Sequence, residues 1–229
     1  MADIQLNSVT LATESGGAVT LNSAVIGSGG LRSMQVLTSG TNYVRPTGIT
    51  TIKVYCTGGG GSGGFGGAGY DNGAGGGAGG TAIRIYDVSS TASITYAVGA
   101  STGTNTSGDG ATGNTSSFSG PGHTISATGG EGGDHGNNGA VGNSAGGVGV
   151  NGQLNLYGSA GDPGNDDTAT NYLSPGTGGD SFWGGGSSAG RPTGADGGAG
   201  YHGGGGMGGR HGGQGGAGGA GIIVVEEYA

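Results

Sequence analysis

The sequence is poor in cysteine, proline and charged residues. Its single cysteine, Cys56, allows no intramolecular disulfide and excludes a small secreted domain stapled by disulfides. Its 5 prolines, set against 67 glycines, exclude collagen, which needs abundant proline and one glycine per triplet. Its 6 basic and 14 acidic residues lack the positive footprint that a nucleic-acid partner requires. We therefore expect no nucleic-acid partner.

The sequence also lacks a helical period and a long apolar run. No window approaches the length of a membrane span, and residues 1–4 have neither the basic region nor the apolar stretch of a signal peptide. Gly-x-Gly-x-x-Gly matches occur, but a nucleotide site needs such a loop between a strand and a helix. The sequence therefore predicts a protein made in the cytoplasm without a signal peptide, with no cofactor.

What the sequence has instead is a Gly-Gly-X repeat in residues 60–69 and 203–221. A period of three matches neither an α-helix nor a strand, but it does match a polyproline II type of helix, which has three residues per turn and no internal hydrogen bonds. Two faces of such a helix are bare backbone here, so neighbouring helices can approach and bond to one another. The third face carries X and points outward. The X residues are Ser62, Phe65 and Ala68 in the first tract and Met207, Arg210, Gln214, Ala217 and Ala220 in the second.

This repeat predicts a bundle of polyglycine II helices. The second tract skips one residue at His211, and we expect that insertion to rotate the helix face by a third of a turn. The scaffold glycines expected on the bare faces are Gly60, Gly61, Gly63, Gly64, Gly66, Gly67, Gly212, Gly213, Gly215, Gly216, Gly218 and Gly219.

A glycine bundle needs support from apolar strands. Each glycine loses about 0.5–1 kcal/mol more than alanine on ordering, whereas a backbone hydrogen bond returns about 0.5–1.5 kcal/mol. Alternating or short apolar segments predict strands at residues 49–55, 81–88, 93–98 and 221–228, with Cys56 as a small core residue. The predicted fold is mostly β with a polyglycine II bundle, elongated, and with essentially no α-helix.

Residue composition and pattern divide the chain into residues 1–45 and 46–229. In the first part, the pentads at residues 9–13 and 18–22 are strand-like and are separated by a turn signal, which predicts a hairpin or two coils of a β-structured stem. This part is too short to form its own core, so we expect it to be an attachment segment that pairs with another chain or packs on the main domain. A homotrimer is one option for such a stem.

Polar segments interrupt the second part at residues 101–118, 153–175 and 187–196. Loops on a rigid scaffold commonly carry binding sites, and tyrosine, asparagine and aspartate are frequent in recognition loops. The candidate receptor-binding residues are Tyr157, Asp162, Asn165, Asp166, Asp167, Asn171 and Tyr172.

No residue pattern indicates catalysis or a metal site. The four histidines lack zinc-site spacing, and no Gly-x-Ser-x-Gly elbow lies between a strand and a helix. Residues 162–167 could hold calcium through carboxylates, but a hydrated acidic loop is the simpler interpretation. Phe182 and Trp183 are interpreted as an apolar anchor that caps the glycine helices, with ligand stacking as the alternative.

The order of these segments resembles a known family. Residues 46–54 run into the glycines at 58–61, Tyr-Ala-Val-Gly-Ala follows at 96–100 and Thr-Ser-Ser-Phe at 115–118, and Gly-Ile-Ile-Val-Val-Glu-Glu-Tyr closes the chain at 221–228. This order is similar to the glycine-rich domain of many bacteriophage tail and tail-fibre proteins. The alternation of glycine tracts with polar loops is also similar to the polyglycine II tip adhesins of T-even-type phages.

The resemblance implies a virion component that is not an enzyme. It implies a fibre or tail-tip adhesin that contacts a host cell-surface protein or glycan through its loops, and that joins other virion proteins through the N-terminal segment. The alternative is a purely structural virion protein, such as a fibre segment or a capsid decoration. An ice-binding protein is a third option, but Phe65, Met207, Arg210 and Gln214 spoil the flat face that it needs.

Overall fold

The computed structural model describes residues 2–6, 9–15, 18–21, 30–67, 71–136, 142–165, 174–188 and 195–229. Within these residues the protein has thirteen β-strands and no helix, so no described helix could cross a membrane. The strands are β1 (Ala2–Leu6), β2 (Val9–Ser15), β3 (Ala18–Leu21), β4 (Leu31–Leu37), β5 (Asn42–Val44), β6 (Thr51–Thr57), β7 (Thr81–Asp87), β8 (Ser93–Ala97), β9 (Ser116–Gly120), β10 (His123–Ala127), β11 (Gly149–Val150), β12 (Leu154–Leu156) and β13 (Ile222–Tyr228).

The strands form three antiparallel sheets. The first sheet is the meander β1-β2-β3, in which β2 and β3 form the hairpin predicted at residues 9–22. The second has the order β11-β10-β9-β8-β5, and the third has the order β12-β7-β6-β13-β4. The mostly β prediction is confirmed, and β6, β7, β8 and β13 lie within two residues of the predicted strands.

Two strands before residue 46 belong to the larger sheets. Strand β4 pairs with β13, and β5 pairs with β8. The hydrogen-bonded framework of the large sheets therefore begins at Leu31, ahead of the predicted division between residues 45 and 46. The division itself, and the attachment role of residues 1–45, stay predictions.

The main hydrophobic core is built from the facing sides of the two five-stranded sheets. Strand β6 contributes Ile52, Val54 and Cys56, each fully buried, because alternate residues of a strand point to the same face. Phe118 of β9 lies against them with its ring centroid 6.1 Å from that of Tyr43 and 5.9 Å from that of Tyr86. The prediction that Cys56 is a core residue is confirmed.

This core should make the protein sensitive to alkali. Burial raises the pKa of the Cys56 thiol from 9.0 to about 12, and burial raises the pKa of the Tyr86 phenol from 10.0 to about 12. A raised pKa of an acid means that the unfolded chain loses its proton first, so stability is complete below the unfolded pKa and is lost as pH rises through the folded one. We expect urea midpoints to fall between about pH 9 and pH 12. In Cys56→Ala the decline should begin nearer the ordinary pKa of tyrosine, and an identical decline in both proteins would contradict this assignment.

The glycine segments between the strands are ordered by backbone hydrogen bonds that repeat every third residue. In residues 60–66, each N–H donates to one of three different neighbouring segments, all of which run antiparallel to it. The donor–acceptor pairs are Gly60–Gly219, Gly63–Gly216 and Gly66–Gly213 to the first neighbour, Gly61–Gly77 and Gly64–Ala74 to the second, and Ser62–Ala111 and Phe65–Gly108 to the third, with N···O distances of 2.9–3.1 Å.

The carbonyl groups of the same tract accept hydrogen bonds from two further segments, which run parallel to it. Residues 59, 62 and 65 accept from 130, 133 and 136, and residues 61 and 64 accept from 206 and 209. The tract is thus surrounded by backbone on all sides. A Cβ on Gly64 would lie 1.9 Å from the carbonyl oxygen of Asp134, so a side chain could not occupy this position without moving the neighbouring backbone.

Residues 73–80 repeat the arrangement. Their N–H groups donate in rotation to residues 203–209, 128–134 and 159–162, again with a period of three. Ala74 and Ala78 of this segment are fully buried. The two glycine segments therefore lie at the centre of a lattice of backbone hydrogen bonds.

The skipped residue at His211 has a different cause from the predicted one. His211 and Gly212 have φ values of 45° and 82°, and the Gly213 N–H donates to the Arg210 carbonyl at 2.9 Å. This is a tight turn, since positive φ at both central residues is the mark of the turns that reverse antiparallel strands. Residues 206–209 run parallel to the first tract and residues 213–219 run antiparallel to it. The prediction of one continuous helix with a rotated face is wrong, because the chain reverses there.

The expectation that X residues point outward holds for part of the set: Phe65 and Arg210 are half-buried, and Ala68 lies outside the described residues. Gln214, Ala217 and Ala220 are half-buried between fully buried glycines. Ser62 and Met207, however, are 0% and 1% exposed. The Ser62 hydroxyl accepts a hydrogen bond from the Ala111 N–H at 2.8 Å, so this X residue faces a neighbouring segment rather than solvent.

Candidate binding surface

The stem of the predicted receptor loop at 153–175 is fixed to the glycine lattice. The Asp162 carbonyl accepts from the Gly75 N–H at 2.9 Å, and the Asp162 N–H donates to the Thr177 carbonyl at 2.9 Å. The Asp162 carboxylate accepts a hydrogen bond from the Thr177 hydroxyl. This carboxylate therefore has a structural partner beside the loop.

The remaining candidates of this loop are not brought together by the described residues. Asn165 is exposed, and its carbonyl accepts from the Asn72 side-chain amide at 2.8 Å. Tyr157 is 81% exposed and lies directly after β12, in an isolated bridge with Val148. Residues 159 and 162 pair in turn with 78 and 75, so Tyr157 and Asn165 lie at opposite ends of one extended segment. Asp166, Asp167, Asn171 and Tyr172 lie outside the described residues.

The backbone of the segment 101–118 is held in place by hydrogen bonds to the glycine segments. Asn105 exchanges two backbone hydrogen bonds with Gly215, at 2.9 and 2.8 Å, and the Ala111 carbonyl accepts from the Ser62 N–H. The last part of the segment enters β9. This segment packs along the first glycine tract, and its exposed side chains are small.

A cluster of aromatic rings lies where the third sheet meets the glycine lattice. Tyr55 of β6 is 8% exposed, and its ring centroid lies 5.8 Å from that of Phe182 and 5.4 Å from that of Trp183. Phe182 and Trp183 are themselves 49% and 37% exposed. They cover Tyr55 and still present ring surface to solvent, so the two interpretations of this pair, anchor and stacking surface, are compatible.

Two tight turns hold this cluster. The Ser181 hydroxyl accepts from the Gly184 N–H at 2.9 Å and donates to the His202 carbonyl at 2.6 Å. His202 has a φ of 44° in a turn like the one at residues 210–213, and the preceding Tyr201 is 71% exposed. We call Tyr55, Phe182, Trp183 and Tyr201 the aromatic patch.

Beside the aromatic patch, polar side chains on the same sheet face are bonded to one another. The Glu226 carboxylate accepts from the Tyr228 hydroxyl at 2.7 Å and from the Tyr55 hydroxyl at 3.2 Å. The Lys53 ammonium lies 4.0 Å from that carboxylate and 4.7 Å from the Tyr55 ring centroid. The hydrogen bond to Glu226 raises the pKa of Tyr228 above its ordinary value. Next to these groups is an open cavity of about 200 Å³, lined by Thr51, Lys53, Ile85 and Tyr228.

The carboxylates of the glycine region bind backbone N–H groups. Asp134 accepts from Gly142, Asp180 from Gly186 and Asp196 from Gln214, at 2.7–2.9 Å. In the described part of the chain, no group of three or more histidine, cysteine or acidic side chains is placed to hold a metal ion. These three aspartates therefore connect neighbouring parts of the chain through hydrogen bonds to backbone N–H groups.

The sequence-based prediction placed the candidate site in the polar loops. It named Tyr201, with Tyr70, Tyr157 and Tyr172, as a tyrosine that could take part in recognition, and it did not include Tyr55. A signal for Tyr201 was present, because Tyr-His-Gly-Gly at 201–204 and Arg-His-Gly-Gly at 210–213 share the His-Gly pair that forms the turn. The contact between Tyr55 and residues 182–183 joins positions far apart in sequence, and no local pattern indicates it.

One comparison with known proteins gives a match. A family described as a glycine-rich domain matches residues 35–228. No curated protein matches the chain.

Proposed function

The chain belongs to the glycine-rich domain family, and we propose that it is a bacteriophage tail-fibre or tail-tip component that binds a receptor on the host envelope. In this proposal the glycine segments are polyglycine II helices that form a rigid scaffold, and the aromatic patch is the centre of the receptor-binding surface. The protein acts in the virion, binds a cell-surface protein or glycan, and catalyses no reaction.

The hydrogen-bond pattern supports the polyglycine II part of the proposal. A donor direction that returns every third residue is what a helix with three residues per turn produces, whereas the side chains and bonding groups of a strand alternate with a period of two. Residues 60–66 and 73–80 both have the period of three. A scaffold of this kind holds its surface groups still, which lowers the entropy lost when a partner binds.

The aromatic patch is the observation that carries the receptor-binding part. Exposed tryptophan and tyrosine side chains dominate the energetics of many recognition surfaces, because they bury large areas with few rotatable bonds. Phe182, Trp183 and Tyr201 are exposed, the Ser181 hydroxyl joins the two turns that carry them, and the Gly203 carbonyl of the second turn accepts from the Gly79 N–H. Lys53 and Glu226 add charged groups at its edge.

An adsorption competition tests the proposal. Purified protein is incubated with host cells, and the phage particles that still adsorb are counted. We expect the wild-type protein to block adsorption and Trp183→Ala to require about 30-fold more protein, as a hot-spot loss of about 2 kcal/mol implies. Val44→Ala, which truncates another exposed apolar side chain, should block like the wild type.

The variants that lose blocking distinguish the possible binding sites from a protein that binds no receptor. If Tyr157→Ala weakens blocking and Trp183→Ala does not, the site lies in the loop after β12. If folded wild-type protein does not block adsorption to a susceptible host, receptor binding is wrong. The alternative, a purely structural virion protein, is then favoured, and the exposed apolar side chains of Leu31, Met34 and Val36 are the observation that supports it.

A further inference from the structure

The third sheet has one long open edge. The edge strands of the two five-stranded sheets are β11, β5, β12 and β4, with 2, 3, 3 and 7 residues. Short edge strands are a common protection against pairing with another chain. Strand β4 is the exception, and within the described part of the chain its outer edge pairs with no strand.

The sequence of β4 has little of the usual protection, and its one charged residue is Arg32, at the register shift. Leu-Arg-Ser-Met-Gln-Val-Leu has no proline, no lysine and no acidic residue. Leu31, Met34 and Val36 are 55%, 51% and 56% exposed, although they are apolar. A register shift occurs only at one end, opposite Glu227 and Tyr228.

The opposite face of β4 is fixed by a buried carboxylate. Glu227 is 1% exposed and accepts hydrogen bonds from the Ser33 hydroxyl and from the Gln35 amide, the latter at 2.7 Å. The strand is therefore held extended before any partner arrives, which lowers the ordering cost of pairing.

We propose that β4 pairs antiparallel with β4 of a second copy of this chain, so that two five-stranded sheets form one sheet of ten strands. The open edge offers backbone donors and acceptors that only an extended strand can satisfy, and β4 is complementary to itself. Met34 is the fourth of its seven residues, so antiparallel pairing in register places the two Met34 side chains opposite each other. The only charge on the strand is Arg32, so the pairing sets no acidic groups against each other despite the net charge of -8.

A two-fold axis closes this assembly at two chains. Each copy uses the long edge of its third sheet, and the opposite edge of that sheet, β12, has only three residues, so the pairing yields a dimer rather than an extended sheet. The inference does not depend on receptor binding, because Met34 and Trp183 are tested separately.

The mass of the full chain in solution tests the proposal. We expect sedimentation equilibrium to give twice the 21.2 kDa of one chain for the wild type, and half of that mass for Met34→Lys. Leu154→Lys is the matched control, since Leu154 is also 51% exposed but lies on the three-residue edge at the other side of the same sheet. It should leave the mass of two chains unchanged.

A crosslinking variant covers the case in which Met34→Lys does not fold. Met34→Cys should form a disulfide-linked dimer under mild oxidation, because directly opposite residues of antiparallel strands have Cα separations within disulfide range. The native Cys56 is buried and should not react, and Leu154→Cys should give no such dimer. The proposal is overturned if the wild-type protein has the mass of one chain at concentrations up to hundreds of micromolar. It is also overturned if folded Met34→Lys keeps the mass of two chains and folded Met34→Cys forms no disulfide-linked dimer.

Discussion

We expect Gly216→Val to destabilise the protein so strongly that little folded material remains at elevated temperature. A Cβ at this position would lie 1.9 Å from the carbonyl oxygen of Gly198, and a side chain cannot remain there unless the two segments separate. Separation stretches the two bonds that join these segments, from the Gly197 N–H to the Gln214 carbonyl and from the Gly200 N–H to the Ala217 carbonyl. Overpacking and two strained bonds together cost about 4–6 kcal/mol, or about 10–20 °C in Tm for a domain of this size.

Two controls separate lattice packing from the general effect of valine. Gly103→Val adds the same side chain at an exposed glycine where nothing lies within 4 Å of the new Cβ, so its Tm should change little. Ala217→Ser alters the next residue, whose side chain is half-buried, and should be nearly silent. Calorimetric melts of the three variants measure the effect. Equal Tm values for Gly216→Val and Gly103→Val would contradict a close-packed lattice at Gly216.

The second large effect is expected from Glu227→Ala. Glu227 accepts from the Tyr43 hydroxyl at 2.7 Å in addition to Ser33 and Gln35, so it joins β13 to both β4 and β5. Burial, together with the hydrogen bond to this carboxylate, raises the pKa of Tyr43 above its ordinary value. Removal of the carboxylate leaves the buried Tyr43 hydroxyl without an acceptor and opens a cavity, which should cost about 2–4 kcal/mol in the free energy of unfolding.

A double-mutant cycle isolates this contribution. Tyr43→Phe removes the donor, so the double variant Tyr43→Phe/Glu227→Ala should be less destabilised than the sum of the single variants. Glu226→Ala is the neighbouring control, because its carboxylate lies on the outer face of the sheet and is partly exposed, so its loss should cost less than the loss of Glu227. Additive effects of Tyr43→Phe and Glu227→Ala in urea titrations would show that the hydroxyl and the carboxylate do not stabilise each other.

Strands with side-chain alternation were predictable from the sequence, and glycine-rich connections were not. Residues 51–57 and 81–87 carry apolar side chains at a strand period, residues 222–225 form a short continuous apolar run, and the structure places strands at all three segments. Strand β4 alternates less clearly because its register shifts beside Arg32, and its sequence pattern did not predict a strand. Strands β9 and β10 were missed as well, although Pro121-Gly122 between them is a turn signal and Gly122 has a φ of 72°.

The path of the chain through the glycine lattice could not be predicted for a physical reason. Glycine carries no side chain to mark which face is buried, so the sequence does not distinguish a segment that continues from one that reverses. At His211 the period of three shifts by one residue, which is equally consistent with a rotated face and with a turn. The hydrogen-bond partners decide between a rotated face and a turn, because they show that residues 206–209 and residues 213–219 run in opposite directions beside the first tract.

The candidate site was partly predictable for a related reason. The polar composition of residues 153–175 identified a surface segment, and Asp162 and Asn165 do lie at its exposed stem. The composition did not reveal that the Asp162 carboxylate bonds to Thr177, nor that Phe182 and Trp183 pack on Tyr55. These contacts join distant parts of the chain and depend on the lattice that brings them together.

Amide hydrogen exchange of the glycine tracts tests the scaffold most directly. If residues 60–66 and 73–80 are helices in a lattice, every consecutive amide in them should exchange as slowly as the amides of β6 and β13, because each one donates to a backbone carbonyl of a neighbouring segment. Exchange of these glycine amides at the rate of an unstructured peptide, while the strands stay protected, would contradict the account.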